Sequence, residues 1–162
     1  MEIIAHKMQY DGGRIESDLK VVHYCDIYYE EYKAIYRDCF RPMRTALGLS
    51  DDCCDTREHL IKKQADLYLL MIDGHIAGSV ATYGNEIDDL IVNPNDQGKG
   101  YGKKLLLYAV SNLQNKEIEP ITLHVADWNK KAFHLYLQSG FQCIQTEKVL
   151  REEQNPPAPS KN

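Results

Sequence analysis

Gly98, Gly100 and Gly102 alternate with Lys99, Tyr101 and Lys103 just ahead of an apolar stripe, Leu105, Leu106, Ala109, Val110 and Leu113. An apolar strand, Leu90-Ile91-Val92, runs into this turn. Where a strand gives way to a helix, the first-turn N–H groups have no intrahelical acceptor and the helix dipole is positive. Glycines there remove side chains that would keep a bulky anion off the backbone. Phosphate binding is the chemistry this spacing offers. The common P-loop is excluded, because no Ser or Thr follows the lysines. A dinucleotide fingerprint fails as well, since Lys103 stands where its third glycine belongs.

The elements that must position this turn follow from periodicity. Leu19 to Tyr24 reads as the first core strand, behind an Asp11-Gly12-Gly13 turn, and residues 2 to 10 leave room for an extra strand. Asp26 caps a helix from about Tyr28 to Phe40, which Pro42 perturbs or ends. A second helix fits Asp55 to Asp66, with Gly48 to Cys54 as the loop between the two. Leu67 to Ile72, the turn Asp73-Gly74 and His75 to Tyr83 form an antiparallel hairpin. Ile87 to Val92, a helix Tyr101 to Leu113, a strand 121–125, a helix 129–138 and a strand from Phe141 to about Val149 complete the order. Periodicity alone gives an α/β sandwich, a single domain over 1–151. The proline-rich 152–162 reads as a flexible tail.

Composition narrows the function. With 43% hydrophobic and 27% charged residues, the 162-residue chain is ordinary globular material. Its apolar runs are too short to span a bilayer, and no secretory signal opens it, so cytoplasmic residence is the expectation. A net charge of −5 without a basic run argues against nucleic-acid binding and suits a cationic substrate. Five cysteines, an odd number with no C-x-x-C pair, indicate a reduced protein with no metal site.

Two blocks carry a resemblance. Gln97-Gly98-Lys99-Gly100-Tyr101-Gly102 matches Q/R-x-x-G-x-G/A behind a strand ending in Val92-Asn93-Pro94. Asn129, Ala132, Tyr136, Gly140 and Phe141 match N-x-x-A-x-x-x-Y-x-x-x-G-F behind the strand 121–125. Together they resemble the GCN5-related N-acetyltransferase (GNAT) superfamily. That resemblance implies a mixed, mostly antiparallel sheet whose central strands splay apart, flanked by helices, with an acyl-CoA in the opening. It implies N-acetyl transfer from acetyl-CoA to a primary amine of a small molecule or a protein, with a homodimer left open. A non-catalytic acyl-CoA-binding module of the same fold is the alternative.

The same resemblance distributes roles. The turn Gln97, Gly98, Lys99, Gly100, Tyr101, Gly102 and Lys103 would hold the pyrophosphate, and the edge Leu90, Ile91, Val92 the pantetheine arm. Asn129 would touch that arm, cap its helix, or do both. Tyr136 would protonate the leaving thiolate. A free amine has a pKa of about 10.4, so a base must take its proton. Glu86 and Asp88, alternating on one strand face, are the candidates, with His124 third. The acceptor pocket would lie around Tyr28 to Asp55, which carries no motif. Tyr28, Tyr29, Tyr32 and Tyr36 could line that pocket, but a helical aromatic stripe reads first as core.

Overall fold

The computed structural model describes residues 2–150, so the expected tail at 152–162 lies outside the described residues. The strands are β1 (Glu2–Tyr10), β2 (Val22–His23), β3 (Leu67–Ile72), β4 (His75–Tyr83), β5 (Glu86–Val92), β6 (Thr122–Ala126) and β7 (Phe141–Leu150). The α-helices are α1 (Tyr29–Ala46), α2 (Arg57–Lys63), α3 (Tyr101–Asn115) and α4 (Lys130–Gln138). One sheet runs in the order β2-β3-β4-β5-β6-β1-β7. Its neighbours are antiparallel except β5 and β6, which are parallel and joined through α3. This is the mixed, mostly antiparallel sheet with flanking helices that the two blocks imply.

Side chains alternate across a strand, so each sheet face builds its own core. On one face Leu105, Leu106, Ala109, Val110 and Leu113 of α3 and Tyr136 of α4 pack with Val80, Ile87, Leu123, Val125 and Phe141. On the other, Tyr32 and Ile35 of α1 and Leu60 of α2 pack with Leu67, Leu69, Ile76, Ala81 and Ile91. Ile87 and Ile91 are four residues apart yet join opposite cores. The register explains it: Ala81 faces Asp88 while Ser79 faces Ile91, so β5 carries one extra residue, with Asp89 at a φ of 49°. Such a bulge reverses which residues face which side. Gly78 on β4 is a contact requirement, since a Cβ there would come within 2.7 Å of the Ile91 carbonyl oxygen and 2.8 Å of Leu105.

The strands at the centre separate as the resemblance implies. β5 and β6 pair only at Glu86 with Thr122 and Ile87 with Leu123. Beyond Ile87 the β6-facing edge of β5 has no ladder partner among the described residues.

Three features depart from the sequence reading. Residues 2–10 are an interior strand, not an accessory one, seated between β6 and β7. Its Met8 is fully buried, and His6 bonds Asp127 at 2.8 Å and Thr146 at 2.9 Å. Of Leu19 to Tyr24 only Val22–His23 pairs as a strand, while Leu19 and Val21 pack against the core without a ladder. Helix α1 passes through Pro42 to Ala46. Proline removes one N–H donor, and the bond from Leu47 N–H to the Met43 carbonyl closes the turn after it.

Candidate active site

The glycine turn begins where β5 ends. Asn93 fixes its entry: its N–H reaches the Ala77 carbonyl at 2.8 Å, its amide donates to the Ile76 carbonyl, and its Oδ1 accepts from Asn95 N–H. Gly98 (φ 82°) and Gly100 (φ 84°) adopt left-handed backbone, and a Cβ at either would meet no atom within 4 Å. Gly100 is the N-cap of α3, which therefore starts without a side-chain cap. The N–H groups of Gly98, Gly100, Tyr101, Gly102 and Lys103 have no acceptor among the described residues. Gly102 faces the gap between β5 and α4, 3.6 Å and 3.7 Å from Val92 and Leu135 at its would-be Cβ. The turn is thus a row of unpaired donors at a positive helix end, with open space in front of it.

Side chains around the turn are already engaged. Lys99 bonds Asp96 at 3.3 Å, and His75 bonds the same carboxylate at 3.0 Å. Burial opposes ionisation of Asp96, but those two partners outweigh it and hold its carboxyl below the ordinary value. Lys104 lies over the Tyr101 ring, and Lys103 is exposed. Gln97 folds back, its amide donating to the Val92 carbonyl at 3.2 Å, where the Cys39 thiol also donates at 3.1 Å. Of the edge Leu90, Ile91, Val92, the last therefore has its carbonyl oxygen in use. Asn129 caps α4, its Oδ1 accepting from Ala132 N–H at 3.1 Å.

The carboxylates and Tyr136 converge on the splayed strands from opposite faces. Tyr136 is 8% exposed, and its hydroxyl has no partner among the described residues. Burial first, and the Asp88 charge second, push its pKa up to about 12. Asp88 itself is raised, by burial and then by the charge of Asp89. Glu86 bonds His124 across the strands at 2.7 Å, so these two candidates act as one unit. Asp88 accepts from the Asp89 N–H at 2.7 Å and has no cationic partner within 4.0 Å among the described residues.

On the α1 and α2 side of β5 lies a cavity of about 360 Å³, bounded in part by Tyr32, Tyr36, Asp55, Lys63, Asp88 and Asp89. The bulge turns Asp89 into it. Tyr83 donates to Asp89 at 2.8 Å and Tyr36 at 3.3 Å. Lys63 pairs with Asp55 at 2.6 Å and lies over the Tyr83 ring. Cys54 lines the same space, but burial and Asp55 push its thiol up to about 11, which leaves it unreactive near neutrality. Sequence reasoning placed an acceptor pocket around Tyr28 to Asp55 but did not single out Asp55, Tyr83, Lys63 or Asp89. The available signal was Tyr32 and Tyr36, one helical turn apart, opposite an acidic pair whose bulge is invisible in one sequence.

Among the described residues no cluster of ligating side chains suits a metal, and no helix is long and apolar enough to cross a membrane.

With this geometry in view, comparison with known proteins is direct. Residues 25–141 match the acetyltransferase (GNAT) family. The chain is 38% identical over 58 residues to thialysine N-epsilon-acetyltransferase of Mus musculus, covering 36% of this chain and 34% of that protein. It is 31% identical over 75 residues to mycothiol acetyltransferase of Propionibacterium freudenreichii, covering 46% of this chain and 22% of the relative. The chain thus aligns with only about a fifth to a third of the length of these curated relatives. In fold it resembles PaiA N-acetyltransferase of Thermoplasma acidophilum, solved in complex with coenzyme A. That likeness has a TM-score of 0.60 at 17% identity, covering 76% of this chain and 89% of the other. The chain belongs to the acetyltransferase (GNAT) family, and β1 lies outside the matched residues.

Proposed function

Taking that membership as the premise, we propose that the chain transfers an acetyl group from acetyl-CoA to a primary amine. The observation that carries this is the run of unpaired N–H groups from Gly98 to Lys103, beside strands that part after Ile87. A diphosphate needs several convergent donors at short range, and open space before Gly98 and Gly100 admits one. Support also comes from relatives named as acetyltransferases and from a structural neighbour solved with coenzyme A.

In this reading Gln97 to Lys103 hold the diphosphate through main-chain amides, with Lys99 adding positive potential while tied to Asp96. Leu90 and Ile91 offer unladdered backbone to the peptide-like arm, as a sheet edge does to an added strand. A main-chain N–H of Ile91 or Val92 steadies the oxyanion that develops on the thioester carbonyl. Asp88, or the Glu86–His124 pair, takes the proton from the attacking amine, directly or through water. The nitrogen–carbon bond forms, the carbon–sulfur bond breaks, and Tyr136 gives its phenolic proton to the departing thiolate. Tyr136 stays protonated at any working pH, because burial and Asp88 hold its pKa near 12.

The test is an amine panel with acetyl-CoA, following thiol release and the acetylated product by mass spectrometry. Amine-dependent release with matching product is the expected result. Saturable acetyl-CoA binding without product on any amine would leave the non-catalytic module instead.

A further inference from the structure

The cavity beside Asp88 and Asp89 has a chemical character that the acetyl-transfer reading leaves unused. Its one cation among the described residues, Lys63, is neutralised by Asp55 at 2.6 Å and stacked on Tyr83. Asp88 and Asp89 have no cationic partner within 4.0 Å among the described residues. Asp89 accepts two tyrosyl hydroxyls, and an ionised carboxylate has room for further donors. Tyr32, 1% exposed, lines the same cavity, and its buried hydroxyl has no hydrogen-bond partner of good geometry among the described residues. A buried unpaired hydroxyl costs stability, so its persistence beside an acidic cavity points to a ligand that pairs with it. Burial first, and the Asp89 charge second, oppose ionisation of Tyr32.

Two carboxylates without a cation within reach call for a ligand that donates hydrogen bonds and carries positive charge. A carboxylate-bearing acceptor would meet like charge, because Lys63 is already matched. The space is about 360 Å³, the small-molecule range, and the rings of Tyr32 and Tyr36 with Leu60 suit a hydrocarbon stem. Asp88 belongs both to the cavity wall and to the surroundings of Tyr136. A molecule whose neutral nitrogen reacts near Asp88 would hold any second nitrogen deeper, among Asp89, Tyr32 and Tyr36. We infer that the acceptor is a small aliphatic diamine, its non-reacting ammonium seated on Asp89 and the Tyr32 hydroxyl. This rests on the proposed acetyl transfer and specifies its substrate class.

The experiment compares putrescine, n-butylamine and γ-aminobutyrate as acceptors at saturating acetyl-CoA. Putrescine is expected to exceed butylamine in kcat/KM by on the order of tenfold or more, with γ-aminobutyrate lowest. Asp89→Asn, which tolerates the left-handed backbone and still accepts a tyrosyl hydroxyl, should raise the putrescine KM and erase that preference. Tyr32→Phe should weaken putrescine in the same direction while leaving the melting temperature unchanged or higher, which a purely structural tyrosine would not do. Butylamine used as well as putrescine, or an undiminished preference in Asp89→Asn, overturns the inference. Should no amine be acetylated, direct titration of putrescine separates the two claims. Saturable heat lost in Asp89→Asn upholds the diamine site while acetyl transfer fails, and absent heat refutes the site.

Discussion

The two sides of β5 present different chemistry. Toward α3 the surface is main chain: unpaired amides at Gly98, Gly100 and the first turn of the helix, with left-handed glycines standing clear of other atoms. Toward α1 and α2 it is side chain: Asp55, Asp88 and Asp89 among tyrosines, brought from one helix, a loop and two strands. Amides at a helix start suit anions and take little notice of what the anion is attached to. Carboxylates and phenols at fixed positions suit one cation and reject others. One side would thus serve any coenzyme-like diphosphate, while the other sets which amine is accepted. The bulge at Asp89 joins them, since one extra residue lets Ile87 face α3 while Ile91, four residues on, faces α1.

Breaking one side and sparing the other sharpens this contrast. The largest effect is expected from Gly100→Asp, which puts a carboxylate at the amide row. Calorimetry should show acetyl-CoA affinity falling by roughly 100-fold or more, about 2.7 kcal/mol, with putrescine binding unaltered. Next comes Tyr136→Phe, for which kcat should drop by about 100-fold, the low end for a lost general acid, with both KM values nearly unchanged. Stopped-flow or steady-state assays read this directly.

Acidity gives a third way in. Rate should climb with pH as the acceptor amine, and before it Asp88, lose protons. Asp88 is raised, so its loss of activity on acidification begins above the ordinary carboxylate range of about 3.9. No alkaline decline from Tyr136 should appear below about pH 11, because its pKa lies near 12. A fall centred between pH 8 and 9 in the kcat/KM profile would contradict that assignment.

Smaller effects concern stability. A carboxyl whose folded pKa is raised costs nothing below its unfolded pKa, and its penalty is complete above the folded one. Asp88→Asn should therefore lower activity while raising the melting temperature near neutrality, by on the order of 1–2 °C given its partial exposure. Asn129→Ala removes the α4 cap and should cost about 1 kcal/mol in denaturant unfolding.

The contrast also explains what a single sequence discloses. The amide row leaves a printed trace, because left-handed backbone and close approach demand glycine at set intervals, and Asn129 caps where its spacing says it should. The hairpin Leu67 to Tyr83 and the α3 stripe were equally legible, being local patterns of two and of three to four residues. The acidic cavity leaves no such trace. Tyr32 and Asp89 lie far apart in the chain, and Asp89 enters the cavity only because β5 bulges. β1 was underestimated for the same reason: its partners, β6 and β7, begin beyond residue 121, and nothing in residues 2–10 names them. Pro42 within α1 shows that helix packing can override a local stop signal.

The most direct measurement is calorimetric titration of acetyl-CoA into the wild-type chain and into Gly100→Asp. Saturable one-to-one binding that the substitution abolishes is the result this account predicts. No heat in the wild type at high micromolar coenzyme, or equal affinity in both proteins, would contradict it.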